Sequence, residues 1–144
     1  MTARENSKTV MMHFWHMECC GEPFKVGDHI ERWPVDTYKY AGQHELFDTR
    51  DVDFLYMDHY TEKEMEKFSW LEGDVAVIRL VYFRYTEVKP RVLEPVEAKI
   101  IEATEATKWH ADIGDFRFGA FVVKIDNAKI EPIKIGKKKK FRIK

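Results

Sequence analysis

The sequence predicts a mainly β domain: a small antiparallel barrel or two-sheet sandwich of about six or seven strands, with one short helix. Three observations point there. The run from Val75 to Val88 puts Val75, Val77, Val81, Phe83 and Tyr85 on one face and Ala76, Ile78, Leu80, Tyr82 and Val88 on the other. Alternation of β-branched and aromatic residues over such a length is the two-residue period of a strand apolar on both faces. Second, a Gly-Asp pair recurs at Gly27-Asp28, Gly73-Asp74 and Gly114-Asp115, each ahead of a β-rich run. Gly supplies positive φ and Asp bonds its own backbone, so each pair reads as a turn. Third, one stretch carries a helix-start pattern, Thr61-Glu62-Lys63-Glu64 followed by Met65 and Phe68, which predicts a helix over 62–69.

Taken in chain order, Thr9 to Glu18 reads as a strand and Cys19 to Pro23 as a turn. Phe24 to Trp33 continues as a strand around Gly27-Asp28. Residues 34–60 are irregular, rich in tyrosine and acidic groups, and read as an aromatic surface segment or a binding loop. After the central strand, Pro90 and Pro95 bound a connection or an edge, because proline cannot donate to a ladder. Val96 to Thr104 and Phe118 to Asp126 are further strands. Asp126-Asn127 then reads as a turn into a last strand, Lys129 to Ile135.

A chain of 144 residues with 44% hydrophobic and 14% aromatic content is a single domain, 1–144, able to bury a core. The formal net charge of −1 provides no global attraction to nucleic acid or to acidic membrane. No run approaches the roughly 20 apolar residues of a membrane span. The two cysteines are adjacent, Cys19-Cys20, and cannot staple distant segments, which points to a reducing, cytoplasmic setting. Charge is nonetheless segregated. From Gln43 to Asp74 ten acidic residues face three basic ones, and from Lys129 to Lys144 eight basic residues face one acidic.

Two patterns could carry chemistry. His13, His16, Cys19 and Cys20 place four zinc-type ligands within eight residues. On an extended strand, however, His13 and Cys19 face one way and His16 and Cys20 the other. No Cys-x-x-Cys pair is present, so buried thiols and edge histidines are the plainer account. The neighbours Glu18 and Glu22 disfavour a reactive thiolate. The second pattern is the basic tail 136–144, with Lys137, Lys138, Lys139, Lys140 and Arg142, which could neutralise phosphates or form a lysine-rich edge strand. Gly-x-Ser-x-Gly, Gly-x-Gly-x-x-Gly and phosphate-loop motifs are absent from the sequence. The aspartates at 48, 51, 53 and 58 lack the glycine and terminal glutamate of a calcium loop.

The segment Trp15-His-Met-Glu-Cys-Cys-Gly-Glu-Pro-Phe-Lys-Val-Gly-Asp28 resembles the signature W-x-x-x-C-C-G-x-P-F-x-V-G-D of a small uncharacterised bacterial protein family, a domain of unknown function. The Gly73-Asp-Val-Ala-Val-Ile run is similar to its second strand block. The resemblance implies no activity and no catalytic residues. Function is therefore unknown from sequence. The leading expectation is a non-enzymatic binding module for protein or nucleic acid, with metal binding at His13–Cys20 as the alternative. Open sheet edges leave a homo-oligomer open as well.

Overall fold

The structure, a computed structural model, describes residues 6–19, 21–37, 46–49, 51–57 and 67–133. The elements are β1 (Lys8–His13), α1 (Phe14–Cys19), β2 (Phe24–Lys25), β3 (His29–Thr37), β4 (Phe54–Tyr56), β5 (Ser69–Lys89), β6 (Val92–Ala103), β7 (Glu105–Ala106) and β8 (Phe116–Pro132). The mainly β expectation holds. Six strands form one sheet in the order β3-β4-β1-β8-β5-β6, and β3 pairs also with β5, so the sheet curls back on itself. The result is sandwich-like rather than a plain barrel, with β2 and β7 forming a separate two-stranded sheet. The ladder is mixed: β1 and β4 run parallel, while every other pairing is antiparallel.

The central strand read from the sequence is the longest element, extended to Ser69–Lys89. It pairs with β8 from Ser69↔Pro132 to Arg84↔Phe116, and register shifts at three points along this ladder let the two long strands coil. Alternation sorts their side chains. Ile78, Leu80 and Tyr82 of β5, Phe121, Val123 and Ile125 of β8, and Val10 and Met12 of β1 point inward. Phe121 is fully buried, with Phe118 at 4.8 Å and Phe24 at 6.3 Å between ring centroids. Each such side chain contributes roughly 1.5–3 kcal/mol by leaving water.

Several local expectations are corrected. Gly27 (φ 98°) and Gly114 (φ 59°) do make turns, the latter closing a two-residue hairpin between Ile113 and Phe116. Gly73 does not; it lies inside β5, where an added Cβ would sit 2.7 Å from the Asp126 carbonyl oxygen. Close backbone approach, not a reversal, is what selects glycine there. Asp126-Asn127 does not turn either. Asn127 adopts φ 54° within β8 beside a register shift, and its amide donates to Asp74 Oδ2 at 3.0 Å. One left-handed residue is absorbed as a bulge, and β8 runs on to Pro132.

The first strand ends at His13 and gives way to α1, because Met17 and His16 turn into the core and the Gly21 N–H closes the helix end on the His16 carbonyl at 2.8 Å. The helix expected over 62–69 falls mostly outside the described residues, and Ser69 already opens β5. Residues 34–60 are less irregular than expected. Their first residues complete β3 and Phe54–Tyr56 form β4, while 38–45, 50 and 58–60 lie outside the described residues.

Candidate functional site

The same alternation that fills the interior leaves a second row of side chains on the outer face of the sheet. Thr9 and Met11 of β1, Val122 and Lys124 of β8, and Arg79 and Val81 of β5 belong to it. The register sets Thr9 opposite Lys124, Met11 opposite Val122, and Arg79 opposite Val122. Arg79 and Lys124 are thus diagonal neighbours on adjacent strands, a spacing of roughly 7 Å.

Part of this face is covered. Met11, Val81 and Ala120 are buried under Val52, with Phe47, Leu55 and Phe83 packed around them. The covering segment is held by backbone bonds. Val52 N–H donates to the Thr49 carbonyl at 3.1 Å, and Asp53 N–H donates to the Thr9 carbonyl at 2.8 Å. In return Thr9 N–H donates to Asp53 Oδ2 at 2.9 Å.

Beside the covered patch a groove of about 680 Å³ remains open. Its apolar lining comes from Phe47, Val52, Val81, Ile100 and Val122. Its polar lining comes from two sides: Arg79, Lys124, Ser7 and Thr9 on the sheet, and Asp48 and Asp51 on the covering segment. Arg79 stands across from Glu102 in the register yet makes no ion pair with it, and Lys124 has no ion pair among the described residues. Two cations therefore share one side of a half-apolar groove without a counter-ion among the described residues. This volume falls in the range of small-molecule pockets, and its mix of an apolar lining with a few convergent polar groups is their usual composition.

The residues singled out in the sequence lie elsewhere. His13 ends β1, and His16 is fully buried in α1, its ring 3.7 Å from Trp15 and 5.2 Å from Tyr56 between centroids. Partial desolvation, and His16 beside it, hold the His13 pKa below the ordinary histidine value. Cys19 is disulfide-bonded, which leaves it no thiolate to offer a metal while oxidised. Cys20 lies outside the described residues, as do Lys137, Lys138, Lys139, Lys140 and Arg142.

Among the described residues the converging metal-type set is a different one: His29, Glu31 and Glu72, with ligand atoms within 4.8 Å of one another. Two of its members, His29 and Glu72, are already hydrogen-bonded to each other. His29 Nδ1–H donates to Asp74 Oδ1 at 2.8 Å and Nε2–H to Glu72 Oε2 at 2.9 Å, so both ring nitrogens are occupied. Those hydrogen bonds, Asp74's first, raise the His29 pKa, and through them the ring clasps β3 to β5. Asp74 is correspondingly lowered, first by the Asn127 amide and then by His29.

A second, smaller pocket of about 180 Å³ opens between α1 and the loop before β8, with Trp109 on its rim.

Sequence reasoning missed Arg79 and Lys124 because single cations in a β pattern carry no motif. The signal that could have found them is isolation: Arg79 interrupts a face otherwise made of Val75, Val77, Val81 and Phe83, and Lys124 follows Phe118, Ala120 and Val122 on its own face.

A model of a family described as a family of unknown function (DUF6578) matches residues 6–127. No curated protein and no solved structure matches the chain.

Proposed function

We propose, from the premise that this chain belongs to the DUF6578 family of unknown function, that it is a non-enzymatic binding module for a ligand with one anionic head group and an apolar body. The observation that carries this reading is the pairing of Arg79 and Lys124, without counter-ions among the described residues, against the apolar lining of the 680 Å³ groove. The cations would take the head group through charge-assisted hydrogen bonds, with the hydroxyl of Thr9 as a further donor. Phe47, Ile100 and Val122 would cover the body. Asp48 and Asp51 on the other side of the groove repel a polyanion, which favours a single-headed ligand over nucleic acid at this site.

Calorimetric titration with octanoate tests the reading. Arg79→Ala and Lys124→Ala should each weaken binding by about tenfold, the value of one charged hydrogen bond. Octanoate binding that both variants leave unchanged would refute it.

Two further readings rest on sequence alone. Nucleic-acid binding by Lys137–Lys140 and Arg142 is tested by removing 137–144 and measuring oligonucleotide retention. Zinc binding by His13, His16, Cys19 and Cys20 is tested by metal content of the reduced protein against a Cys19→Ser, Cys20→Ser variant.

A further inference from the structure

The loop between β7 and β8 holds an aromatic side chain outward by a set of specific bonds. Thr107 Oγ1–H donates to the Trp109 carbonyl at 2.8 Å, and Thr107 N–H donates to His110 Nε2 at 3.0 Å. The His110 ring packs on Phe118 and Phe121, 5.3 and 5.6 Å between centroids, which ties the loop to the core. Asp112 Oδ1 accepts the Phe118 N–H at 3.0 Å and fixes the other end. A loop anchored at both ends nonetheless leaves Trp109 65% exposed. Phe14, at the start of α1, lines the same pocket and is 38% exposed. Exposed aromatic rings on an anchored frame are preorganised for stacking, because little side-chain or loop entropy is lost on contact.

The charges around the pair narrow the ligand. Lys108 and Arg117 line the pocket and have no ion pair among the described residues. Of the two carboxylates present, Asp112 is already engaged with Phe118, which leaves Glu18 as an acceptor for ring N–H groups. The pocket, about 180 Å³, admits one planar ring system and not a base pair.

We propose that the Trp109–Phe14 pocket binds one unpaired nucleobase by stacking, with its phosphate held by Lys108 and Arg117. The shared chemistry has two sources, a free nucleotide or a single-stranded nucleic acid, and it is separate from the anion groove on the outer face. Stacking on aromatic side chains beside cations is how unpaired bases are held.

Quenching of tryptophan fluorescence by adenosine monophosphate, and by an oligodeoxyadenylate of about ten residues, tests the proposal. Saturable quenching is expected, with affinity reduced at least about tenfold in Trp109→Ala. Lys108→Ala and Arg117→Ala should weaken binding and flatten its salt dependence. Circular dichroism of the variants reports that the exposed positions leave the fold intact. Equal affinity for both probes assigns a free nucleotide, and markedly tighter binding of the oligonucleotide assigns a single strand. Binding of neither probe at millimolar concentration, or binding unchanged in Trp109→Ala, overturns the proposal.

Discussion

Thr9 and Asp53 bond to each other twice: the Thr9 N–H donates to the Asp53 carboxylate at 2.9 Å, and the Asp53 N–H donates to the Thr9 carbonyl at 2.8 Å. This reciprocal pair ties the segment before β4 to the first strand and so shapes one side of the groove. Asp53→Ala removes the side-chain half and should cost about 1 kcal/mol in urea unfolding. Octanoate affinity should fall with it, although Asp53 lines no part of the groove. Wild-type affinity in Asp53→Ala would show that the groove does not depend on this tether.

Gly73→Ala tests the correction made at the centre of β5. The new Cβ would meet Ile125 and the Asp126 carbonyl, neither of which can yield without moving β8. A destabilisation of about 1–3 kcal/mol is expected. Alanine at a true turn glycine with open space around it, such as Gly27, would strain only the local φ. A Gly73→Ala midpoint equal to wild type would contradict the close approach.

His29 should titrate above the ordinary histidine value of about 6.5. Because its folded pKa is raised, its contribution to stability is present below that value and is lost as pH rises through the folded pKa. Asp74→Asn should return the ring toward its ordinary titration, followed by NMR. A His29 resonance that ignores Asp74→Asn would contradict the clasp.

His110 behaves in the opposite sense. Burial against Phe118 and Phe121 lowers its pKa, and Nε2 must stay unprotonated to accept the Thr107 N–H. A base with a depressed pKa favours the folded state most above about pH 6.5, and that advantage is lost as pH falls below it. Acidification should therefore loosen the Trp109 loop, seen as faster amide hydrogen exchange at Thr107. Exchange at Thr107 independent of pH, after correction for intrinsic rates, would contradict this role.

The fold was legible where one rule governed a long stretch. Val75–Val88 is β-branched or aromatic at most positions, and it forms the middle of β5, the longest strand of the sheet. Gly27 and Gly114 were readable because a turn leaves the glycine exposed with positive φ. Gly73 was not, since the same dipeptide serves a different need when a neighbouring strand presses on it. The helix Phe14–Cys19 was hidden because His13, Trp15 and Met17 mimic strand alternation over a stretch too short to betray a helical period. The candidate site was least legible. Arg79 and Lys124 are 45 residues apart in sequence and become neighbours only through the β5–β8 register, which no local pattern encodes. His29 likewise meets Asp74 and Glu72 only through β3–β5 pairing.

The most direct test of the groove is a chemical-shift titration of ¹⁵N-labelled protein with octanoate, and with octylamine as the opposite charge on the same body. Saturable shifts confined to Thr9, Arg79, Val81, Val122 and Lys124 for octanoate, and none there for octylamine, are the predicted result. Shifts scattered over the surface, or equal for both probes, would contradict an anion-selective groove on the outer face.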